Sequence, residues 1–406
     1  MVPHHPTGET CGQQDLVEPI DPRVGDILEK ALSGGEIDQQ DGLTLFATRG
    51  REFQALLRAA DAVRRKRVGD DVSFVVVRNI NFTNICHTGC RFCAFARARS
   101  DAEAEFLSLG EIADRAEEAW CRGATEVCIQ GGLHPQIDGF YYRDIVAAIR
   151  KRVPKIHIHA FSPFEIQYGA RRSRMSIADF LRMLVDHGLN TMPGTAAEIL
   201  DTDIRERLTR NKLSADQWVH IITTAHRLGI RSSSTIMYGH IDAPRHWVDH
   251  LALLREIQKR TGGFTEFVPL GFVHWNAPIY LEGDARAGPT LSEHLHLHAV
   301  ARLMLQGWID NIQVSWVKLG PRLAQRILTT GANDMGGTLM NENISRAAGA
   351  PHGQELTPLQ MCRFIREVGR TPVQRNTMYQ TLDRFVDHDP PVSEVDRHTA
   401  RLPVSA

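Results

Sequence analysis

The chain has 406 residues, of which 42% are hydrophobic and 23% charged, with a formal net charge of -1. So balanced a charge leaves no global field to draw in nucleic acid or an anionic membrane, and no stretch reaches the about 20 apolar residues of a membrane span. The length suffices for a large core, and α/β barrels often run this long as one unit.

Residues 1–20 are polar, contain Pro and Gly, and lack an apolar signal region, so they predict a disordered tail. Between 21 and 69 the apolar residues Ile27, Leu28 and Leu32, then Leu43, Leu45 and Phe46, then Phe53, Leu56, Leu57, Ala60 and Val63 recur at helical spacing. They predict a small helical cap. It ends in the basic run Arg64 to Arg67, which suits a solvated helix end.

From about Asp70 apolar runs alternate with helical patterns. Strands are expected near 72–78, 126–130, 156–161, 190–194, 232–238, 264–270 and 312–318, and a weaker one at 334–338. Capping boxes at Ser108-x-x-Glu111, Ser214-x-x-Gln217 and Thr290-x-x-Glu293 open several of the helices between them. Repeated strand-helix units imply an α/β architecture with a parallel sheet. Eight of them suggest a TIM-type (β/α)8 barrel over 70–370, complete or nearly so, with a partial barrel left open by the weak eighth strand. Residues 371–406, including Asp387-His-Asp-Pro-Pro391, read as a C-terminal extension and polar tail.

Three of the seven cysteines follow the first strand. Cys86, Cys90 and Cys93 are spaced C-x3-C-x2-C. Thiolates on a short loop can hold an iron-sulfur cluster, and three of them leave one metal position open for a small molecule, as in catalytic zinc sites. A Cys3His zinc site that uses His87 is the alternative, although no second C-x2-C pair completes a zinc framework. Cys11, Cys121, Cys128 and Cys362 stand singly, which suits a reducing cytoplasm.

The cysteine spacing, with Phe92 before the third cysteine, resembles the cluster motif of the radical S-adenosylmethionine (SAM) enzymes. Its flanks, Asn79-Ile-Asn-Phe-Thr-Asn-Ile-Cys86 and Thr88-Gly-Cys-Arg-Phe-Cys-Ala-Phe-Ala96, resemble the CofH family. So do Gln130-Gly-Gly132, His159-Ala-Phe-Ser-Pro163, Pro193-Gly-Thr-Ala-Ala-Glu198, Ser232-Ser-Ser-Thr-Ile-Met-Tyr-Gly-His240, Phe264-Thr-Glu-Phe-Val-Pro269 and Gly331-Ala-Asn-Asp-Met-Gly-Gly337. That family is the tyrosine-using half of the deazaflavin (FO) synthase of coenzyme F-420 biosynthesis. The resemblance covers roughly 70–350. One residue departs from it: His87 stands beside the first cysteine, where the family more often has Tyr.

The resemblance implies a 4Fe-4S cluster on Cys86, Cys90 and Cys93, with SAM as the second cofactor. Gln130, Gly131 and Gly132 would receive the methionine end, Phe92 the adenine and Glu198 the ribose. Each has a plainer reading: Gly-Gly pairs punctuate turns, aromatic residues pack loops, and Glu favours helix starts. Tyr238, His240, His274 and Asn276, near the ends of strands five and six, are the candidates for substrate contact and catalysis, with Ser162 to Glu165 and Asp334 as further ones.

The implied substrates are L-tyrosine and 5-amino-6-(D-ribitylamino)uracil. With one C-x3-C-x2-C in the chain, the ring-closing CofG-type enzyme is expected as a separate protein, beside an electron donor. No nucleic acid or membrane partner is expected. Two other readings stay open: a menaquinone-type aminofutalosine or cyclic dehypoxanthine futalosine synthase, which shares Gln130 to Pro135, and a non-catalytic iron-sulfur electron carrier.

Overall fold

A computed structural model describes residues 20–391. The expected tail at 1–20 and the polar end beyond 391 lie almost wholly outside the described residues. The cap forms as three helices, α1 (Pro22–Leu32), α2 (Gln39–Ala47) and α3 (Gly50–Val68). Asp21 caps α1, with Pro22 in the first turn, and α3 stops at Gly69, whose φ of +69° suits glycine. Arg64 at the end of α3 is fully buried and bonds Asp61 and Asp70, so this part of the basic run is structural rather than a solvated face.

The strands are β1 (Asp71–Val75), β2 (Val77–Asn81), β3 (Glu126–Gln130), β4 (His157–Ala160), β5 (Thr191–Met192), β6 (Arg231–Tyr238), β7 (Phe264–Gly271), β8 (Asp334–Gly337), β9 (Thr371–Arg375) and β10 (Thr381–Arg384). β2 to β7 form one parallel sheet in chain order. Closure comes through single bridges: Phe267 of β7 pairs with Ile312, Gln313 pairs with Asp334 of β8, and β8 runs parallel to β1. β1 and β2 are two halves of one expected strand, broken at Val76. The ring therefore has eight parallel positions. At the seventh, the structure corrects the expected strand 312–318 to two bridged residues followed by a helical turn, Trp316–Leu319. The weak eighth strand is present.

The break at Val76 lets the two halves take different neighbours. β2 pairs with β3, whereas β1 pairs on one side with β8 and on the other with β9. Past 370, where the sequence predicts only an extension and polar tail, β9 adds in parallel to β1 and the chain turns back as β10. This addition brings Arg375 under the barrel, where it is buried with Nε 2.6 Å from Asp334 Oδ2 and Nη2 3.3 Å from Glu266 Oε2. Tyr379 lies flat against the guanidinium, 3.9 Å away, and donates its hydroxyl to Glu266. An ionic plug therefore closes the end of the barrel where the strands begin.

The three expected capping boxes are all present, and Ser162 with Glu165 makes another at the start of the helix Pro163–Arg172. Among the described residues no helix is long and apolar enough to cross a membrane.

Candidate active site

The loop that carries the cysteines is held at both ends by backbone pairing. Ile85 bridges Arg97 in parallel, Thr83 bridges Phe106, and Cys93 N-H donates to the Cys90 carbonyl at 3.1 Å. Cys86, Cys90 and Cys93 are partly buried free thiols, and all three line one cavity of roughly 420 Å³. It opens where the strands end, the position of chemistry in such barrels, and its size suits a small-molecule site.

Phe92, Gln130, Gly131, Gly132 and Glu198 line the same cavity. The two glycines are required by contact. A Cβ on Gly131 would stand 2.6 Å from the Phe82 ring, and one on Gly132 would strike the Ile85 carbonyl just before the first cysteine. The end of β3 is therefore pressed against the cysteine loop. Thr195 Oγ1 donates to Gln130 Oε1 at 3.0 Å, and Gly131 N-H donates to Glu165 Oε1 at 2.9 Å.

Two acidic groups serve this wall. Glu165 is buried, and burial pushes its carboxyl up to about 7 against the hydrogen bonds from Ser162 and Gly131. Glu198 sits in the left-handed region at φ +42°, two residues after Ala196 at φ +62°. Such residues cost on the order of 1–3 kcal/mol each and persist where surrounding structure holds them. Here Arg205 does so, bonding the carbonyls of Ala196, Ala197, Ile199 and Leu213. Lys212 Nζ pairs with Glu198 at 2.6 Å and lies 5.0 Å over the Phe92 ring.

Burial pushes the Cys90 thiol up to about 11, opposed by Lys212, and raises Cys93 in the same direction. Among the described residues no three His, Cys, Asp or Glu side chains gather as ligands of a single ion. Three thiols that line one cavity are the donor type that holds a polynuclear iron-sulfur group. The three-thiol set fits an iron-sulfur cluster, whereas the His87 that a Cys3His zinc site would need is turned to the Leu133 carbonyl. His87 takes no part in the cavity. Its Nδ1 bonds the Leu133 carbonyl at 2.7 Å, and its ring leans on Tyr168, so it ties the cysteine loop to the end of β3.

The four expected catalytic residues are not brought to this cavity. Tyr238 points from β6 into the helix layer, where its hydroxyl meets His294 Nδ1 at 2.6 Å and its ring meets Trp247. His240 is buried in the next turn, with Nε2 3.0 Å from the Met237 carbonyl and Nδ1 accepting the Ile241 N-H. His274 packs on Trp275 and Tyr280. Asn276 is exposed and donates to the Ala347 carbonyl. Asp334 belongs to the plug below.

Other side chains line the cavity instead: Thr235, Gln313, Ser315, Lys318, Glu342 and the thiol of Cys128. Lys212 lacked any local signal. Lys318 had one, since a lone Lys inside an apolar run expected to be buried calls for a partner or a function.

Residues 80–254 match the radical SAM superfamily, and residues 261–387 match the CofH/MqnC C-terminal region. The chain is 48% identical over 364 residues to the 5-amino-6-(D-ribitylamino)uracil--L-tyrosine 4-hydroxyphenyl transferase of Methanothermobacter thermautotrophicus, covering 90% of this chain and 99% of that one. It is 56% identical over 342 residues to the FO synthase of Nocardia farcinica, covering 84% of this chain but spanning only 40% of that protein. In fold it is similar to methylornithine synthase (PylB), with a TM-score of 0.68 at 18% identity over 85% of this chain and 97% of that one. The hydrogenase maturase HydG of Carboxydothermus hydrogenoformans gives 0.68 at 16% identity, over 88% and 81%. The chain belongs to the radical SAM superfamily, within the family of the 5-amino-6-(D-ribitylamino)uracil--L-tyrosine 4-hydroxyphenyl transferases.

Proposed function

We propose that this chain cleaves the Cα–Cβ bond of L-tyrosine and joins the 4-hydroxybenzyl fragment to 5-amino-6-(D-ribitylamino)uracil, in deazaflavin (FO) assembly. One observation carries the reading: three thiols and the Gln130 to Gly132 turn share a single cavity at the strand ends. Identity along nearly the whole length of the Methanothermobacter transferase supports it.

Cys86, Cys90 and Cys93 would hold a 4Fe-4S cluster as thiolates, because bound iron overrides the burial that keeps the free thiols protonated. When bound, cluster and SAM together supply a hydrogen-abstracting 5'-deoxyadenosyl radical, and the protein's task is to position and shield. Gly131 and Gly132 keep the main chain open to close approach. Glu165 and Glu198 offer carboxylates to an ammonium group and to ribose hydroxyls, and Phe92 offers a face to adenine. Thr235, Gln313 and Ser315 offer neutral donors and acceptors to the uracil, its ribityl chain and the phenol.

The reaction removes a hydrogen atom from the tyrosine amino group. Cleavage of Cα–Cβ then leaves a glycine-derived imine and a 4-hydroxybenzyl radical. That radical forms a carbon-carbon bond to the uracil, and the adduct radical gives up one electron to a one-electron acceptor and one proton to solvent. An electron donor and a CofG-type enzyme that closes the ring are the partners this reading requires, in a reducing cytoplasm.

The test is anaerobic incubation of cluster-reconstituted protein with SAM, a reductant, L-tyrosine and the ribitylaminouracil, read by mass spectrometry. A tyrosine-dependent hydroxybenzyl adduct is expected, and Cys86→Ala should abolish both it and most of the bound iron. Formation of 5'-deoxyadenosine with no adduct would leave the radical chemistry standing and discard these substrates. No SAM cleavage at all would favour an electron carrier.

A further inference from the structure

Among the described residues lining the cavity, the cationic side chains are Lys212 and Lys318. Lys212 is matched by Glu198 at 2.6 Å. Lys318 is not matched in this way. Its Nζ donates to Ser345 Oγ at 2.9 Å, and no described carboxylate forms an ion pair with it. An ammonium has three donors and a full charge, and a hydroxyl satisfies one donor and none of the charge.

Glu342 lies near enough to favour the charged form, against burial, which holds the Lys318 amine below the ordinary lysine value. Yet Glu342 is committed elsewhere: both of its oxygens accept the Ser345 N-H, at 3.0 and 2.9 Å. It fixes Ser345, and Ser345 fixes Lys318.

The chain takes on strain to build this arrangement. Leu339, Met340 and Asn341 follow one another with φ of +68°, +39° and +108°, all without glycine. Gln354 straps the turn, accepting from the backbone of Asn341 and Glu342 and donating to the Asn341 side chain at 3.1 Å. Three consecutive left-handed residues persist only where surrounding structure over-determines them, and they gather at binding sites. This turn brings Glu342 and Ser345 back to the cavity wall beside Lys318.

We infer that Lys318, oriented by Ser345, is the subsite for the α-carboxylate of the amino-acid substrate. The inference rests on the proposed function, in which tyrosine brings one carboxylate and the ribitylaminouracil is neutral. A half-buried cation that lines a cavity without an ion pair is costly until an anion joins it, so the tyrosine carboxylate completes the wall.

The test compares L-tyrosine with tyramine, which keeps the phenol and amine but lacks the carboxylate. Binding to the cluster-reconstituted protein with SAM is measured by anaerobic calorimetry for the wild type, Lys318→Met and Lys318→Arg. Wild type should prefer tyrosine by about 10- to 100-fold, the range of a charge-assisted hydrogen bond. Lys318→Met should lose that preference and keep its affinity for the ribitylaminouracil, and Lys318→Arg should retain part of the preference. A Lys318→Met protein with the wild-type ratio overturns the inference, and so does one that loses the uracil instead. Should Lys318→Met fail to fold, the wild-type ratio and the Arg variant decide. If wild type forms no tyrosine adduct, the functional reading falls too. An adduct together with an unchanged ratio in Lys318→Met sinks the inference alone.

Discussion

Lys212 Nζ lies 2.6 Å from Glu198 Oε1, with both side chains only 9% exposed, and the pair sits on the same cavity wall as the three cysteines. Arg205, at 3.5 Å, is the second cation on Glu198. Breaking a buried pair strands a charge, at a cost of about 3–5 kcal/mol. Lys212→Met is expected near the low end of that range, because Arg205 remains. In urea unfolding the double variant Lys212→Met/Glu198→Gln should recover about 1 kcal/mol or more of the loss. Strict additivity of the two single variants would show that the pair contributes nothing.

Glu165 gives a pH dependence whose sign is fixed by its burial. Its carboxyl is raised from 4.5 to about 7. Between those values the folded protein keeps a proton that the unfolded chain has lost, so stability falls as pH rises through the window. The size is on the order of 3 kcal/mol. Glu165→Gln keeps the capping box with Ser162 and removes the titration. The difference in unfolding free energy between variant and wild type should therefore grow from pH 4.5 to 7. A difference constant across that range would mean that Glu165 is ionised in the fold.

His87 holds the cysteine loop to β3 without touching the cavity. His87→Tyr is expected to cost about 1 kcal/mol, one hydrogen bond's net contribution, and to leave the product of the anaerobic assay unchanged. A different product from this variant would show that the departure at 87 bears on substrate choice.

Arg375 faces Asp334 and Glu266 under the barrel. Arg375→Met should cost about 3–5 kcal/mol by leaving those acids unpaired, seen as a lower thermal midpoint. The loss should be smaller at acid pH, because burial already raises the Glu266 carboxyl and protonation relieves the remaining charge. A pH-independent loss would point to packing instead.

The sequence by itself determined the strand-helix alternation, the helical cap and the cysteine loop at the end of the first strand. These depend on local periodicity, on capping chemistry and on residues adjacent in the chain. The motif glycines were equally legible, because a residue without a side chain marks close approach wherever it lies.

Which face of a strand meets the cavity was decided only in three dimensions. In β6, Thr235 and Met237 line the cavity, while Tyr238 turns to the helices. β6 reads Arg-Ser-Ser-Ser-Thr-Ile-Met-Tyr and is buried on both faces, each of which mixes hydroxyl and apolar residues, so its alternation does not reveal which face is inward. The seventh barrel position shrank to two bridges because the second half of the run 312–318 coils into the helical turn Trp316–Leu319, and a short apolar run carries no unique period. The matching of Lys212 to Glu198, of Lys318 to Ser345 and of Arg375 to Asp334 joins residues 14, 27 and 41 positions apart. Such pairings follow from strand order and loop path, which no local pattern encodes.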